Sequence, residues 1–239
     1  MNGMRYAGRG LMLALGMGGY AVAAPLAAQV GHSPAKSPYA DLDYRQEWTF
    51  FSGRYDAGKD PAGVAPQPGQ LYGLRYDLRL GGPAYLTARF ADVQSQRTVL
   101  DPVKPLATRN LGLKPWPIYL VDLGISMNLT GFKSYHQLVP VLGAGVGVAS
   151  DFKGVRDIGQ YDFGTPFAFY FGAGVKWIPT GRQFQLRADV GDHFYQIRYP
   201  NTYYQSVNSV PPILTPSQAK NFWKSNTSAT LGLSYLFFR

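Results

Sequence analysis

An all-β chain folded as an eight-stranded antiparallel barrel is the architecture this sequence predicts. Three observations lead there. Eight stretches alternate apolar residues with small or polar ones at period 2, which sorts the two kinds onto opposite faces of a strand. The connections between these stretches run alternately long and short. Charged residues make up only 15% of the 239 residues, with aromatics also at 15% and 28 Gly, whereas soluble domains carry roughly 25% charge.

The first candidate strand is 47–54, with Trp48 and Phe50 facing one way and Glu47, Thr49 and Phe51 the other. A loop rich in Pro and Gly follows over 55–70. The second strand, 71–80, lines up Tyr72, Leu74, Tyr76, Leu78 and Leu80 against Gly73, Arg75, Asp77 and Arg79. Gly81-Gly82-Pro83 reads as a tight turn. The third strand, 84–90, sets Leu86, Ala88 and Phe90 against Tyr85, Thr87 and Arg89, and 92–117 reads as a long loop. The alternation is cleanest over 118–129, where Tyr119, Val121, Leu123, Ile125, Met127 and Leu129 oppose Leu120, Asp122, Gly124, Ser126 and Asn128.

After a short turn at 130–137, the fifth strand, 138–150, opposes Leu142, Ala144, Val146 and Val148 to Gly143, Gly145 and Gly147. Pro140 falls on its apolar face and lacks a ladder donor, so a bulge or a late strand start is expected. A polar loop leads to 167–177, with Phe167, Phe169, Phe171 and Trp177 opposite Tyr170, Gly172, Gly174 and Lys176. Residues 179–183 form a turn. In 184–191, Phe184, Leu186, Ala188 and Val190 oppose Gln185, Arg187, Asp189 and Gly191. A long Tyr-rich loop, 192–225, precedes the last strand. There Ala229, Leu231, Leu233, Tyr235 and Phe237 oppose Ser228, Thr230, Gly232, Ser234 and Leu236.

An even strand count with alternating long and short connections suits a transmembrane barrel with short periplasmic turns and long extracellular loops. Strands of ~9–11 residues match a tilted bilayer crossing. The N-terminus agrees. Arg5 and Arg9 precede a short apolar run, Leu11 to Val22, and small residues around Ala23 or Ala28 fit cleavage. The expected organisation is a signal peptide at 1–28, a linker at 29–42 and the barrel at 43–239. No Cys is present, so thiol chemistry and disulfides are excluded. The three His are scattered, and no metal or other cofactor is expected.

Orientation follows from polarity. Glycines on the non-apolar face suit a narrow lumen better than a solvated surface. The charges on that face come close to balancing: Glu47, Asp77, Asp122 and Asp189 against Arg75, Arg79, Arg89, Lys176 and Arg187. Buried charges must be paired, so an ion-pair network filling the lumen is expected. On a lipid face each charge would cost about 2–4 kcal/mol near the midplane. Trp177, Phe184, Tyr235 and Phe237 are expected as an aromatic girdle at the short-turn end, with Tyr72, Tyr119, Phe167 and Phe169 at the other.

The terminal Gly232, Tyr235 and Phe237 resemble the closing-strand signature of bacterial outer-membrane β-barrels, although Phe238 and Arg239 follow the usual final aromatic. With the Gly-rich runs 142–147 and 171–175, the chain is similar to the small eight-stranded barrels of the OmpA, OmpX and OmpW type. That resemblance implies an outer-membrane location, contact with lipids and lipopolysaccharide, and recognition of the last strand by the barrel-insertion machinery.

Eight strands leave an interior just wide enough for side chains. The function expected is therefore structural, adhesive or small-molecule permeation, by a non-enzymatic monomer that binds no nucleic acid. Two alternatives stay open: an outer-membrane lipid-modifying enzyme using His193 beside Asp192, and a soluble periplasmic lipocalin-like carrier. In the second long loop, Arg97, Lys104, Arg109 and Lys114 oppose only Asp101, and two readings stay open there: an ordinary solvated loop, or contact with lipopolysaccharide phosphates.

Overall fold

Alternating faces leave a sheet with two chemically distinct sides, and closure removes its edges. The computed structural model describes residues 37–179, 182–207, 209–218 and 220–237. The expected signal peptide at 1–28, the start of the linker, Thr180, Gly181, Phe238 and Arg239 lie outside the described residues.

In chain order the strands are β1 (Tyr39–Asp41), β2 (Gln46–Ala57), β3 (Gly69–Gly81), β4 (Ala84–Gln94), β5 (Gln96–Leu100), β6 (Asn110–Pro115), β7 (Ile118–Asn128), β8 (Lys133–Tyr135), β9 (Leu138–Ser150), β10 (Phe167–Trp177), β11 (Phe184–Arg198) and β12 (Asn221–Phe237). Strands β2, β3, β4, β7, β9, β10, β11 and β12 pair antiparallel in that order. The ring closes where β12 meets β2, from Asn226 opposite Ala57 to Phe237 opposite Gln46. Every barrel strand therefore has two hydrogen-bonded neighbours. The result is a closed eight-stranded antiparallel barrel.

The apolar face points out. Leu231 is 72% exposed and Phe50 70%, while Glu47 and Lys176 are fully buried. This is the reverse of a soluble barrel, whose apolar side chains fill the inside.

Several local expectations give way. Pro140 causes no break: β9 pairs with β10 without a register shift from Val148 to Leu138. Its carbonyl accepts from the Leu129 amide, on the side where the β7 ladder has already ended. Backbone N–H and C=O of one strand residue point the same way, so its missing donor falls where no ladder bond is required. The loop expected at 92–117 contains the β5–β6 hairpin. The turn at 130–137 contains β8, which pairs with β1, so part of the expected linker is sheet. Between Tyr135 and Leu138 stand His136 and Gln137, with φ of 48° and 67°. Two left-handed residues make the twist-matched hairpin turn, so His136 serves in a turn.

Strands β11 and β12 run to 15 and 17 residues. They carry the sheet past the expected ends at Gly191 and Asn226.

Candidate functional site: the filled lumen and its outer cap

The inward residues form three layers. At the short-turn end Leu42, Tyr44, Tyr85, Val139, Val141 and Leu236 make an apolar floor. At the long-loop end Phe51, Leu71, Val93, Ile118, Leu120 and Ile197 begin an apolar roof that continues into the loops through Leu100, Tyr161, Tyr203 and Leu214. Between them lie the charges.

The lower charged cluster is centred on Arg187. Its Nε lies 2.6 Å from Asp189 Oδ2, and its Nη1 lies 3.4 Å from Asp77 Oδ2 and 3.5 Å from Glu47 Oε1. Arg75 grips the Asp77 carboxylate with Nε at 2.7 Å and Nη2 at 2.9 Å, a bidentate geometry. Lys176 Nζ donates to Glu47 Oε2 at 2.7 Å, and Gln185 and Thr49 donate to Oε1 of the same carboxylate. Thr87 adds a hydroxyl donor to Asp77. Strand pairing makes this possible: β10, β11, β12, β2, β3 and β4 are successive walls, so residues far apart in sequence converge on one axis.

The upper cluster is Arg89, Asp122 and His193. Arg89 reaches Asp122 Oδ2 at 2.8 Å, and His193 Nε2 lies 3.1 Å from the same oxygen. The Arg89 guanidinium sits 3.6 Å from the Tyr170 ring centroid. That ring lies flat against Gly172 and Gly191: a Cβ at Gly172 would come 2.1 Å from the Tyr170 hydroxyl, and one at Gly191 would come 2.5 Å from its ring. Here the glycines are required, because they make the space that Tyr170 and Arg89 fill. A gap of about 10 Å³ remains beside Arg75, Arg89 and Tyr170, at the lower limit for one water molecule.

Two residues sit differently from the sequence reading. Arg79 stands apart from the ion-pair network. It donates to the Leu42 carbonyl at 2.7 Å and to the Tyr85 hydroxyl, and lies 5.7 Å from the Tyr44 and Tyr85 rings. It pins the N-terminal segment to the floor. His193 stands outside the expected network, in the stretch 192–225 that the sequence predicts as a loop. It is buried in the lumen because β11 continues through it with unbroken inward alternation. Asp192 faces out and accepts from Ser225 Oγ and the Asn226 amide. The pairing on which the lipid-modifying alternative rested therefore does not form.

Of the aromatics expected in two girdles, Tyr72, Phe167, Phe169, Trp177, Phe184, Tyr235 and Phe237 are exposed on the outside, and Tyr119 is half-buried there. Ring contacts join Phe184 to Tyr235 at 5.3 Å, Tyr235 to Phe237 at 4.9 Å and Phe167 to Phe169 at 5.1 Å. Trp48 and Tyr76, 4.8 Å apart, and Phe194 and Trp223, 5.8 Å apart, extend these groups.

In the cap, Arg97 is fully buried, bonded to Asp157 Oδ2 at 2.9 Å and stacked 4.1 Å from the Trp116 ring centroid. Arg109 is buried too, donating to the Pro211 carbonyl at 2.6 Å. Neither is a solvated loop cation or free to meet a phosphate; both brace the loops. Burial, reinforced by Asp60, raises the Tyr161 and Tyr199 hydroxyl pKa values well above the ordinary range, so these rings stay neutral in the cap.

No protein-family model and no curated protein matches the chain. Among solved structures it is similar to Neisserial surface protein A (12% identity, 80% of this chain, 97% of that chain, TM-score 0.47). It is also similar to the N-terminal β-barrel domain of Pseudomonas aeruginosa OprF (15% identity, 83% of this chain, 100% of that chain, TM-score 0.46). A third is the attachment invasion locus protein Ail of Yersinia pestis, in complex with the heparin analogue sucrose octasulfate (14% identity, 81% of this chain, 99% of that chain, TM-score 0.36).

Proposed function

We propose that the chain is a bacterial outer-membrane barrel with a structural or adhesive role: a closed span that presents its long loops outside the cell. One observation supports this reading above the rest, namely charges paired along the axis inside an apolar exterior. An apolar outside needs a lipid solvent, because water would leave Phe50, Leu231 and their neighbours uncovered. A closed ring of strands meets the bilayer's demand that every backbone polar group be bonded internally. The soluble carrier alternative would require an apolar cavity, and this lumen is charged and filled.

In this reading a cleaved leader exports the chain. The last strand addresses it to the insertion machinery, lipids surround the monomer, and lipopolysaccharide meets its rim. Permeation is disfavoured by the two apolar plugs and the stacked Tyr170–Arg89 layer. The test is membrane fractionation, a denaturing gel of boiled and unboiled protein, and conductance in planar bilayers. The expected result is an outer-membrane protein whose mobility shifts on boiling and which is electrically silent. A soluble protein without a shift would overturn the membrane reading. Steady conductance would overturn the closed lumen and favour permeation.

A further inference from the structure

The four long connections, 58–68, 95–117, 151–166 and 199–220, contain five acids, Asp60, Asp101, Asp151, Asp157 and Asp162. Each is held by hydrogen bonds from the chain itself. Asp60 accepts from the Val64 and Ala65 amides and the Tyr199 hydroxyl. Asp101 accepts from the Val103 amide, and Asp162 from the Gly164 amide. Asp151 accepts from the Trp116 indole and the Lys153 amide. Asp157 accepts from Arg97 and the Tyr161 amide. The acids are spent on shaping loops, and the cations other than Arg97 and Arg109 are left exposed.

These exposed cations concentrate on one lobe. The β5–β6 hairpin and residues 151–158 are locked together by the Arg97–Asp157 pair, the Trp116–Asp151 bond and Lys153, whose Nζ lies 4.1 Å from the Trp116 ring centroid. The lobe exposes Lys114, Lys153 and Arg156 beside Phe152, Val155 and Ile158. It is also continuous with the apolar outside of the barrel. Phe90 lies 6.0 Å from Tyr119, and Tyr119 lies 5.3 Å from Phe152. Phe152 is 66% exposed at a φ of 49°, a left-handed conformation that bulky residues rarely adopt. The backbone is held so that this ring points outward, level with the barrel's outer aromatics.

We propose that this lobe seats phosphate-bearing glycolipid headgroups of the leaflet around the barrel's loop end. Lys114, Lys153 and Arg156 meet the phosphates, and Phe152, Val155 and Ile158 enter the apolar edge below them. The inference rests on the outer-membrane reading above. Exposed cations and exposed apolar side chains on one lobe match an interface where phosphates lie over acyl chains. A soluble sulfated polysaccharide would satisfy the cations and leave the three apolar side chains bare.

The test titrates the full chain in detergent micelles with purified lipopolysaccharide, with the same material after enzymatic dephosphorylation, and with a soluble sulfated polysaccharide. Dephosphorylation is expected to weaken binding by about tenfold or more, and Lys114→Gln with Lys153→Gln and Arg156→Gln by about tenfold. Phe152→Ser with Val155→Ser and Ile158→Ser is expected to weaken it by about fivefold. Lys59→Gln with Lys220→Gln, exposed cations elsewhere on the loops, should leave it unchanged. Equal binding of the dephosphorylated material overturns the proposal, and this comparison needs no variant. An equal loss from the Lys59 and Lys220 pair, or a preference for the sulfated polysaccharide, also overturns it. A boiled and unboiled gel of each sample separates the two levels. A heat-shifting barrel without glycolipid preference refutes this inference alone, and a protein with no shift refutes the outer-membrane reading with it.

Discussion

The same side chains do opposite work in the lumen and in the loops. Inside the barrel, acids and bases answer one another: Arg187 lies among Glu47, Asp77 and Asp189, and Lys176 completes Glu47. In the loops every acid accepts from a backbone amide, Asp157 from Arg97 as well, and Lys114, Lys153 and Arg156 are left facing out. The difference lies in where water is. A charge sealed between two apolar plugs must find a counter-charge, because desolvation costs several kcal/mol per ion. A lysine at the rim stays hydrated and needs none. Charge balance is therefore a condition of closure in one region, and charge imbalance is available for recognition in the other.

The largest effect expected from breaking this contrast is in the lower cluster. Arg187→Met leaves buried Glu47 and Asp77, and half-buried Asp189, without their shared cation. It should cost about 3–5 kcal/mol, read as a lower urea midpoint for the barrel in lipid vesicles. An unchanged midpoint would mean that the lumen is wet and the network dispensable.

A smaller effect is expected in the cap. Asp157→Asn removes the counter-charge of buried Arg97 and should cost about 1–3 kcal/mol, confined to the loops. Limited proteolysis within 151–166 should quicken while the boiled and unboiled gel pattern stays as before. A matching loss of barrel stability would show that lumen and cap unfold as one unit.

The smallest effect is at the rim. Lys114→Gln should change the unfolding free energy by less than about 0.5 kcal/mol. A larger loss would give this lysine a structural partner.

The eight barrel strands were legible because each has two chemically different faces, and period 2 records which residue lies on which. That record blurs where polar residues interrupt the outward apolar face. Strand β11 continues past Asp192 and β12 begins before Thr227 with hydrogen bonding intact, but outward Phe194 and Trp223 are flanked by polar Asp192, Gln196, Asn221 and Ser225, so both strands read short. His193 was misplaced for the same reason. Arg97 and Arg109 read as free loop cations because their partners, Asp157 and Pro211, lie 60 and 102 residues away, beyond any local pattern. The lumen charges could be read as a set, since alternation put them on one face. Which carboxylate each base takes depends on cross-barrel neighbours, and so does the departure of Arg79 toward Tyr85 and the N-terminal segment.

The central claim is that apolar residues face lipid and polar ones face a filled lumen. The chain has no Cys, so single cysteines along β12 can carry a fluorophore without interference. Ala229, Leu231 and Leu233 on one face, and Ser228, Thr230 and Ser234 on the other, would each be replaced in turn and the labelled proteins reconstituted with lipids bearing a quencher in their acyl chains. The expected result is strong quenching at the first three positions and little at the second three. Quenching that failed to alternate, or that alternated the other way, would contradict the orientation of the barrel and the account built on it.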